Sequence, residues 1–177
     1  MALIPEDRKT EGLMLPMSVR ENLSFAALQR VSKGGVIDRA RETKLVDELM
    51  DLLEIHADGI DIPAGSLSGG NQQKVVIAKW LMAEPRIILL NDPTRGIDVG
   101  TKQEIYALLR RLADQGAAII FYTTDYDELI GCCDRALVLY DGAIRRELAG
   151  PEITERALIA SALNISSEEA AAGAPAQ

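Results

Sequence analysis

Apolar side chains recur with helical spacing in two long stretches of this chain. Between residues 38 and 54 they are Leu45, Leu49, Leu52 and Leu53, and between residues 102 and 114 they are Ile105, Leu108, Leu109 and Leu112. Residues three or four apart share one face of an α-helix, so each stretch predicts a helix. A third helix is predicted over residues 71–83, because Pro85 soon after it cannot continue a helix.

Short apolar runs between the helices predict strands. Residues 87–90 are Ile-Ile-Leu-Leu, which is typical of a strand buried on both faces. Other strands are predicted at residues 2–4, 117–123, 135–140 and 143–147. Asp141 and Gly142 form a two-residue hairpin signal between the last two strands. This alternation of helices and strands predicts an α/β fold, with a mainly parallel sheet and a hairpin at its end.

The first third of the chain has helical character. Residues 18–66 are predicted to be mostly helical, with an interruption at residues 33–35. Ser18 can cap the first turn of a helix while Glu21, three residues later, returns the hydrogen bond. At the other end, residues from about Ser166 onward are mainly Ala, Glu, Ser and Gly. They are too poor in core-forming side chains to be expected to order themselves.

Composition narrows the function classes. The 177 residues carry a net charge of −8, which argues against a nucleic-acid-binding surface. No apolar run is long enough to span a bilayer and no signal peptide opens the chain, so any membrane role is expected to act through a partner. Cys132 and Cys133 are adjacent, which is poor geometry for a structural disulfide and fits a reducing compartment. His56, the only histidine, is expected at the surface or as a cap.

The predicted helix at residues 71–83 is preceded by Ser68, Gly69 and Gly70. Glycines allow the backbone to approach an anion closely, and the free N–H groups at the start of a helix attract phosphate. At the far end of the strand over residues 87–90 lie Asn91 and Asp92. A magnesium-nucleotide site is typically found at the tip of a buried strand, where carboxylate or amide oxygens serve as ligands.

Two segments resemble motifs of the ATP-binding cassette (ABC) ATPases. LSGGNQQ at residues 67–73 resembles the signature sequence, and IILLNDPTRGID at residues 87–98 resembles the Walker B strand with its D-loop. The NQQK and TRGID variants are most similar to the second cassette of bacterial sugar-importer ATPases of the ribose, galactose and xylose type. The PEDR sequence at residues 5–8 is similar to the Q-loop of those cassettes.

The resemblance implies a partial ABC-ATPase cassette, with a mainly parallel sheet flanked by helices and an α-helical signature subdomain. It divides the chain into four parts. They are a Q-loop segment at 1–17, a helical subdomain with the signature at 18–84, an α/β core with Walker B, D-loop and switch at 85–165, and a disordered tail at 166–177.

The resemblance also implies the site residues. Contacts with ATP fall to Glu6, Ser68, Gly69, Gly70, Asn71, Gln72 and Asp98. Asn91, Asp92 and Thr124 take the catalytic positions of the Walker B aspartate, the Walker B glutamate and the switch histidine. Asn91 and Glu6 take the positions near Mg²⁺. Asn91 lacks the charge that holds a hard cation. Asp92 is one methylene shorter than Glu, and a misplacement of about 1 Å can cost on the order of a hundredfold in rate.

No P-loop of the form G-x-x-x-x-G-K-[ST], which holds the β- and γ-phosphates, occurs in the sequence. The chain is therefore expected to be the C-terminal portion of a cassette and to be inactive alone. In the family two cassettes pair head to tail. Ser68, Gly69 and Gly70 would then contact the γ-phosphate of an ATP held by a partner, and Asp98 would cross the interface.

The expected function is the C-terminal part of an ABC-type ATPase that couples ATP hydrolysis to sugar import. The alternative is a non-catalytic cassette that completes or regulates a partner ATPase. A chromosome-maintenance type of ABC protein is disfavoured, since long heptad arms and a basic face are lacking. The expected partners are a P-loop-bearing cassette, transmembrane permease subunits and, indirectly, a periplasmic sugar-binding protein, with no nucleic acid. The expected location is cytoplasmic, peripheral on the inner face of the cell membrane.

Overall fold

A computed structural model describes residues 1–164. The described residues divide into two compact units, Met1–Tyr122 and a second unit that begins at Thr123. The strands are β1 (Ala2–Ile4), β2 (Ser32–Lys33), β3 (Val36–Ile37), β4 (Ile87–Asn91), β5 (Ala118–Tyr122), β6 (Arg135–Tyr140) and β7 (Ala143–Ala149). The helices are α1 (Val19–Phe25), α2 (Leu28–Val31), α3 (Arg39–Leu52), α4 (Gly69–Leu81), α5 (Val99–Asp114), α6 (Tyr126–Cys132) and α7 (Glu155–Ala162). The tail predicted from Ser166 lies outside the described residues, and the four-part division of the chain stays a prediction.

The first unit is built on a three-stranded parallel sheet with the order β1-β4-β5. Leu90 of β4 lies in register with Ile4 of β1 on one side and with Phe121 of β5 on the other. The carboxyl ends of the three strands therefore meet at one edge, where Asn91 ends β4. The predicted α/β fold with a parallel sheet is confirmed.

Only one face of this sheet is fully buried. Ile88 and Leu90 are 1% and 2% exposed and belong to a core shared with α4 and α5. On the opposite face Leu3, Ile120 and Tyr122 are 54%, 63% and 59% exposed. The prediction of strands buried on both faces is therefore wrong for the described residues, because the alternation of a strand places its apolar side chains on two faces and only one is covered.

The stretch predicted to be mostly helical, residues 18–66, contains α1, α2 and α3, but residues 53–63 form no helix, so the prediction is wrong for that part. Ser18 and Glu21 form the predicted capping box: the Glu21 N–H donates to Ser18 Oγ at 3.2 Å, and the Ser18 N–H donates to a Glu21 carboxylate oxygen at 2.8 Å. The hydrogen bonds from Ser18 hold the pKa of Glu21 below its usual value. The interruption predicted at residues 33–35 is the turn of the small β2–β3 hairpin.

The second unit consists of the antiparallel β6–β7 hairpin with α6 and α7. The turn residues Asp141 and Gly142 have φ angles of 49° and 72°, as a type I′ turn requires, so the predicted hairpin is confirmed. It forms a two-stranded sheet of its own and does not extend the parallel sheet. Ala136, Leu148, Ile153 and Leu158 form its small core. Cys132 and Cys133 are half-buried and are not joined in a disulfide. Across residues 1–164, no helix is long and apolar enough to cross a bilayer.

Candidate functional site

The predicted glycine turn is part of a helix. Ser68 is the N-cap of α4, and Gly69 and Gly70 are its first two residues, so the helix begins two residues before the predicted start at Asn71. Ser68 Oγ accepts a hydrogen bond from the Asn71 N–H at 3.4 Å and from Asn71 Nδ2 at 3.1 Å. Ser68 is exposed. The first N–H groups of a helix have no acceptor within the helix, so those of Gly69 and Gly70 are available to a bound anion.

Both glycines lie close to side chains of other segments. A Cβ atom on Gly70 would lie 2.7 Å from Thr101 Oγ1, at the start of α5. A Cβ atom on Gly69 would lie 2.9 Å from Nη2 of Arg8. The start of α4 is therefore packed against two other parts of the first unit.

Arg8 is a residue that the sequence analysis missed. Its guanidinium lies beside the N-terminus of α4, and its Nε atom is buried with no hydrogen-bond partner. A cation at this place adds to the positive end of the helix dipole. Together with the Ser68 hydroxyl and the first amides of α4, it fits a phosphate group such as those of ATP. The only sequence signal was a basic residue inside PEDR, which does not reveal that residues 8 and 69 are adjacent.

The next two predicted contact residues have structural partners. Asn71 Oδ1 accepts from the His56 N–H at 3.0 Å, which ties the signature to the segment after α3. Gln72 is buried, and its Nε2 donates to the carbonyl oxygens of Leu67 at 3.1 Å and Ala64 at 3.4 Å. The Gln72 side chain thus supports the loop that precedes Ser68, and its predicted contact with nucleotide stays a prediction.

Asn91 and Asp92 lie at the carboxyl edge of the sheet. Asn91 is the last residue of β4, on the half-exposed face, in register with Tyr122. The Asp92 N–H donates to the carbonyl oxygen of Tyr122 at 2.8 Å, and Asp92 has a φ of 43°. A left-handed backbone is tolerated better by Asp than by most side chains and is found often at functional positions. The catalytic roles of the two residues stay predictions.

Glu6 forms an ion pair with Arg95, whose Nη1 contacts Glu6 Oε1. This ion pair joins the Q-loop to the D-loop. The carboxylate of Glu6, which was predicted to lie near Mg²⁺, is therefore already bound to Arg95. Among residues 1–164, no group of three or more His, Cys, Asp or Glu side chains is arranged to hold a metal ion. Mg²⁺ at a nucleotide site is usually held by one or two carboxylates together with phosphates, so the predicted places of Asn91 and Glu6 near Mg²⁺ stay predictions.

Asp98 caps α5. Its carboxylate accepts from the Thr101 N–H and from Thr101 Oγ1, both at 2.9 Å. The hydrogen bond from the Thr101 backbone, followed by that from its side chain, holds the pKa of Asp98 below its ordinary value of 3.8. This cap explains why α5 begins at Val99, three residues before the predicted start. A contact across a cassette interface would have to use an exposed carboxylate that already has these two partners.

We expect Asp98→Ala to lower the melting temperature at pH 7 by about 2–4 °C, as loss of an N-cap does in a chain of this size. Asp98→Asn keeps an acceptor and should melt close to wild type. Because the folded pKa is lowered, the contribution of Asp98 is present above pH 3.8 and is lost as the pH falls through the folded pKa. Thermal unfolding at pH 7 and over a series of pH values below 3.8 measures both effects. An unchanged melting temperature for Asp98→Ala would remove the capping role.

Thr124 belongs to the second unit, where it is exposed. The hydroxyl of its neighbour Thr123 is used in local hydrogen bonds: Thr123 Oγ1 donates to Glu128 at 2.6 Å and accepts from the Asp125 N–H at 3.0 Å.

Of the residues discussed above, the structure brings together Arg8, Ser68, Gly69 and Gly70 within the first unit. The catalytic role predicted for Thr124 stays a prediction.

Comparisons with known proteins agree with the motifs. The ABC transporter family model matches residues 2–95. The ribose import ATP-binding protein RbsA 1 of Mesorhizobium japonicum is 78% identical over 173 residues, which cover 98% of this chain and 34% of that protein. RbsA of Bacillus cereus (strain ATCC 14579) is 43% identical over 162 residues, which cover 92% of this chain and 33% of that protein. The chain thus spans about a third of the length of the curated relatives it matches.

Solved structures give the same answer for the fold. A dimeric post-hydrolysis structure of the ATP-binding cassette MJ0796 bound to ADP and Pi matches with a TM-score of 0.69 and 25% identity, over 83% of this chain and 61% of that chain. The cbiO1 protein of Clostridium perfringens, part of the cbiONQ transporter complex, matches with a TM-score of 0.70 and 27% identity, over 89% and 61%. The chain belongs to the ABC transporter family of ATP-binding proteins.

Proposed function

We propose that this chain supplies the signature and D-loop to an ATP site whose P-loop is carried by another cassette, within an ATPase that drives sugar import. The observation that carries the proposal is the arrangement of groups at the start of α4. Ser68 is exposed, two glycine amides begin the helix, and the Arg8 guanidinium lies beside them. Such a cluster is suited to completing a phosphate cage around ATP that a P-loop holds.

The relatives supply the class of substrate. Those with 78% and 43% identity both bear the name ribose import ATP-binding protein, so a sugar, with ribose as the first candidate, is the proposed cargo. Import across a membrane requires a pore. No helix among the described residues is long and apolar enough to span a membrane. We therefore assign the pore to permease subunits and the delivery of sugar to a periplasmic binding protein. The proposed location is the cytoplasmic face of the membrane.

The uncovered sheet face supports the need for another part of a cassette. Leu3, Ile120 and Tyr122 are each more than half exposed on that face. Apolar surface of this kind is stabilised by burial, at about 25 cal/mol for each Å² removed from water. We propose that the part of this chain's own cassette that carries its P-loop covers this face of the sheet.

A non-catalytic role is the second candidate, and Asn91 and Glu6, the residues predicted to lie near Mg²⁺, favour it. Asn91 has no charge, and Glu6 is already paired with Arg95. Both features weaken the magnesium side of any site that this chain forms in its own cassette. The signature of the same chain can still serve ATP bound elsewhere, so the two candidates share the in-trans role and differ only in hydrolysis.

The 177-residue chain alone should bind Mg-ATP weakly, with a dissociation constant of about 1 mM or higher. The helix start and Arg8 offer only a few donors for phosphate, and a few charge-assisted hydrogen bonds do not offset the cost of association. Isothermal titration calorimetry measures this directly. A dissociation constant in the low micromolar range would contradict the proposal and would mean that the chain holds a complete nucleotide site.

A further inference from the structure

The segment that follows Glu6 lies along α4. It is a short π-helical turn, Arg8–Gly12, which lies within the Q-loop segment predicted at residues 1–17 and which we call the π-turn segment. Asp7 caps it by accepting from the Lys9 N–H at 2.8 Å, and the Leu13 N–H closes it by donating to the Arg8 carbonyl oxygen at 2.8 Å. The segment is thus a hydrogen-bonded element of its own and not an irregular loop.

Three residues of α4 contact this segment. The start of the helix, Gly69, lies against Arg8. Further along, a Cβ atom on Gly12 would lie 2.8 Å from Cγ2 of Val76, so the backbone of the segment packs directly on that side chain. Lys79 Nζ then donates to the Gly12 carbonyl oxygen at 2.9 Å. Positions 69, 76 and 79 are separated by seven and three residues, which places them on one face of the helix.

Lys79 is an unusual residue for this place. It is 9% exposed, and among residues 1–164 it forms no ion pair. Burial lowers the pKa of its amine, because desolvation disfavours the charged form. Its ammonium lies 5.7 Å from the centre of the Trp80 ring, and its hydrogen bond goes to the Gly12 carbonyl oxygen. Burying a lysine costs free energy that an apolar side chain would not, so packing alone does not account for it.

We infer that Lys79 is a positioning residue that ties the π-turn segment to the signature helix, α4, so that displacement of one displaces the other. Glu6 lies two residues before the π-turn segment and is paired with Arg95 of the D-loop. A continuous set of contacts therefore runs from the D-loop through the π-turn segment to the helix that presents Ser68. The consequence for an ATP-bound partner rests on the proposed function, whereas the tie itself does not.

Amide hydrogen exchange of the 177-residue chain tests the tie. In Lys79→Met, which keeps the length of the side chain and removes the donor, the amides of Gly12 and Leu13 should exchange at least about tenfold faster than in wild type. Amides of α5 should be unchanged. Lys79→Arg, which restores a donor, should recover most of the protection. Equal protection of Gly12 and Leu13 in wild type and Lys79→Met overturns the inference, and so does a uniform loss of protection over the whole first unit.

Lys74 offers a matched control on the same helix. It is also buried, but its Nζ donates to the Glu54 carbonyl oxygen at 2.9 Å and pairs with Glu104 at 2.6 Å. Lys74→Met should leave the exchange of Gly12 and Leu13 at the wild-type rate, and faster exchange there would overturn the specific role of Lys79.

If Lys79→Met does not fold, Gly12→Ala provides a second test, because its new Cβ atom would push the segment away from Val76 of α4. Adding Val76→Ala to it should restore protection, and failure to do so overturns the packing on α4.

Association with a P-loop-bearing cassette in ATP tests the consequence. Lys79→Met should weaken it about tenfold and Lys79→Arg should not. A Lys79→Met chain that loses protection of the segment yet associates like wild type overturns the positioning role. If wild type itself does not associate, the proposed function fails, and the exchange measurement still decides whether the tie exists.

Discussion

Gly69→Asp is expected to abolish the ATP-dependent association of this chain with a P-loop-bearing cassette. The substitution places a carboxylate at the first residue of α4, where the γ-phosphate of a partner's ATP is proposed to lie. The Arg8 guanidinium is 2.9 Å from the position of the new Cβ atom, so the carboxylate would pair with it. The substitution therefore adds negative charge and withdraws the Arg8 cation from the phosphate. The affinity for the P-loop-bearing cassette in ATP is expected to fall at least about a hundredfold.

The fold should survive this substitution. The atom nearest the new Cβ is the far end of a flexible arginine, which can move, and an acidic residue is favourable in the first turn of a helix. Thermal unfolding of Gly69→Asp should therefore stay within a few degrees of wild type. This near-neutral stability separates a binding defect from a folding defect.

Gly131→Asp is the matched control. Gly131 lies in α6 of the second unit, has no heavy atom within 4 Å of its Cβ position and has no left-handed backbone. It receives the same side chain and charge away from the signature. Sedimentation velocity with and without ATP compares the three proteins, with Gly131→Asp expected to associate like wild type. Equal association of Gly69→Asp and wild type in ATP would falsify the in-trans role of the signature.

The sequence pattern predicted the elements well and their contacts poorly. Helical spacing located α3 and α5, and Asp141-Gly142 located the hairpin, because these signals are local. The starts of α4 and α5 were placed too late, since Ser68 and Asp98 were interpreted as ligand-binding residues although both are also N-caps. An N-cap and a nucleotide contact use the same kinds of side chain, so residue type alone does not separate them.

Long-range neighbours account for the rest. Arg8 lies beside Gly69 and Lys79 bonds to Gly12, although each pair is separated by more than sixty residues of sequence. The apolar strand at residues 87–90 gave no indication that one of its faces is uncovered in the described residues, because an apolar run looks the same whichever element covers it. Such facts depend on the tertiary arrangement, which a local pattern does not carry.

Restoring the usual Walker B residues provides a test of catalysis. In a complex reconstituted with the P-loop part of its own cassette, Asn91→Asp combined with Asp92→Glu should raise ATP turnover at this chain's own site by about ten- to a hundredfold. Asn91→Asp returns the charge that a hard cation requires. Asp92→Glu lengthens the side chain by one methylene group, so that its carboxylate reaches the usual position. A misplacement of about 1 Å can change the reaction rate on the order of a hundredfold.

The backbone at Asp92 sets the control for this experiment. Its φ of 43° suits Asp better than Glu, so the double variant should be less stable than wild type by at most about 1 kcal/mol. Asp141→Glu makes the same exchange at another left-handed position, with a φ of 49° in the β6–β7 turn, and should lose similar stability without a change in turnover. Steady-state ATPase assays and thermal melts of all three proteins separate strain from catalysis. If the double variant folds and its turnover is unchanged or lower, the present Asn91 and Asp92 are adapted to their site, and the non-catalytic candidate loses its main support.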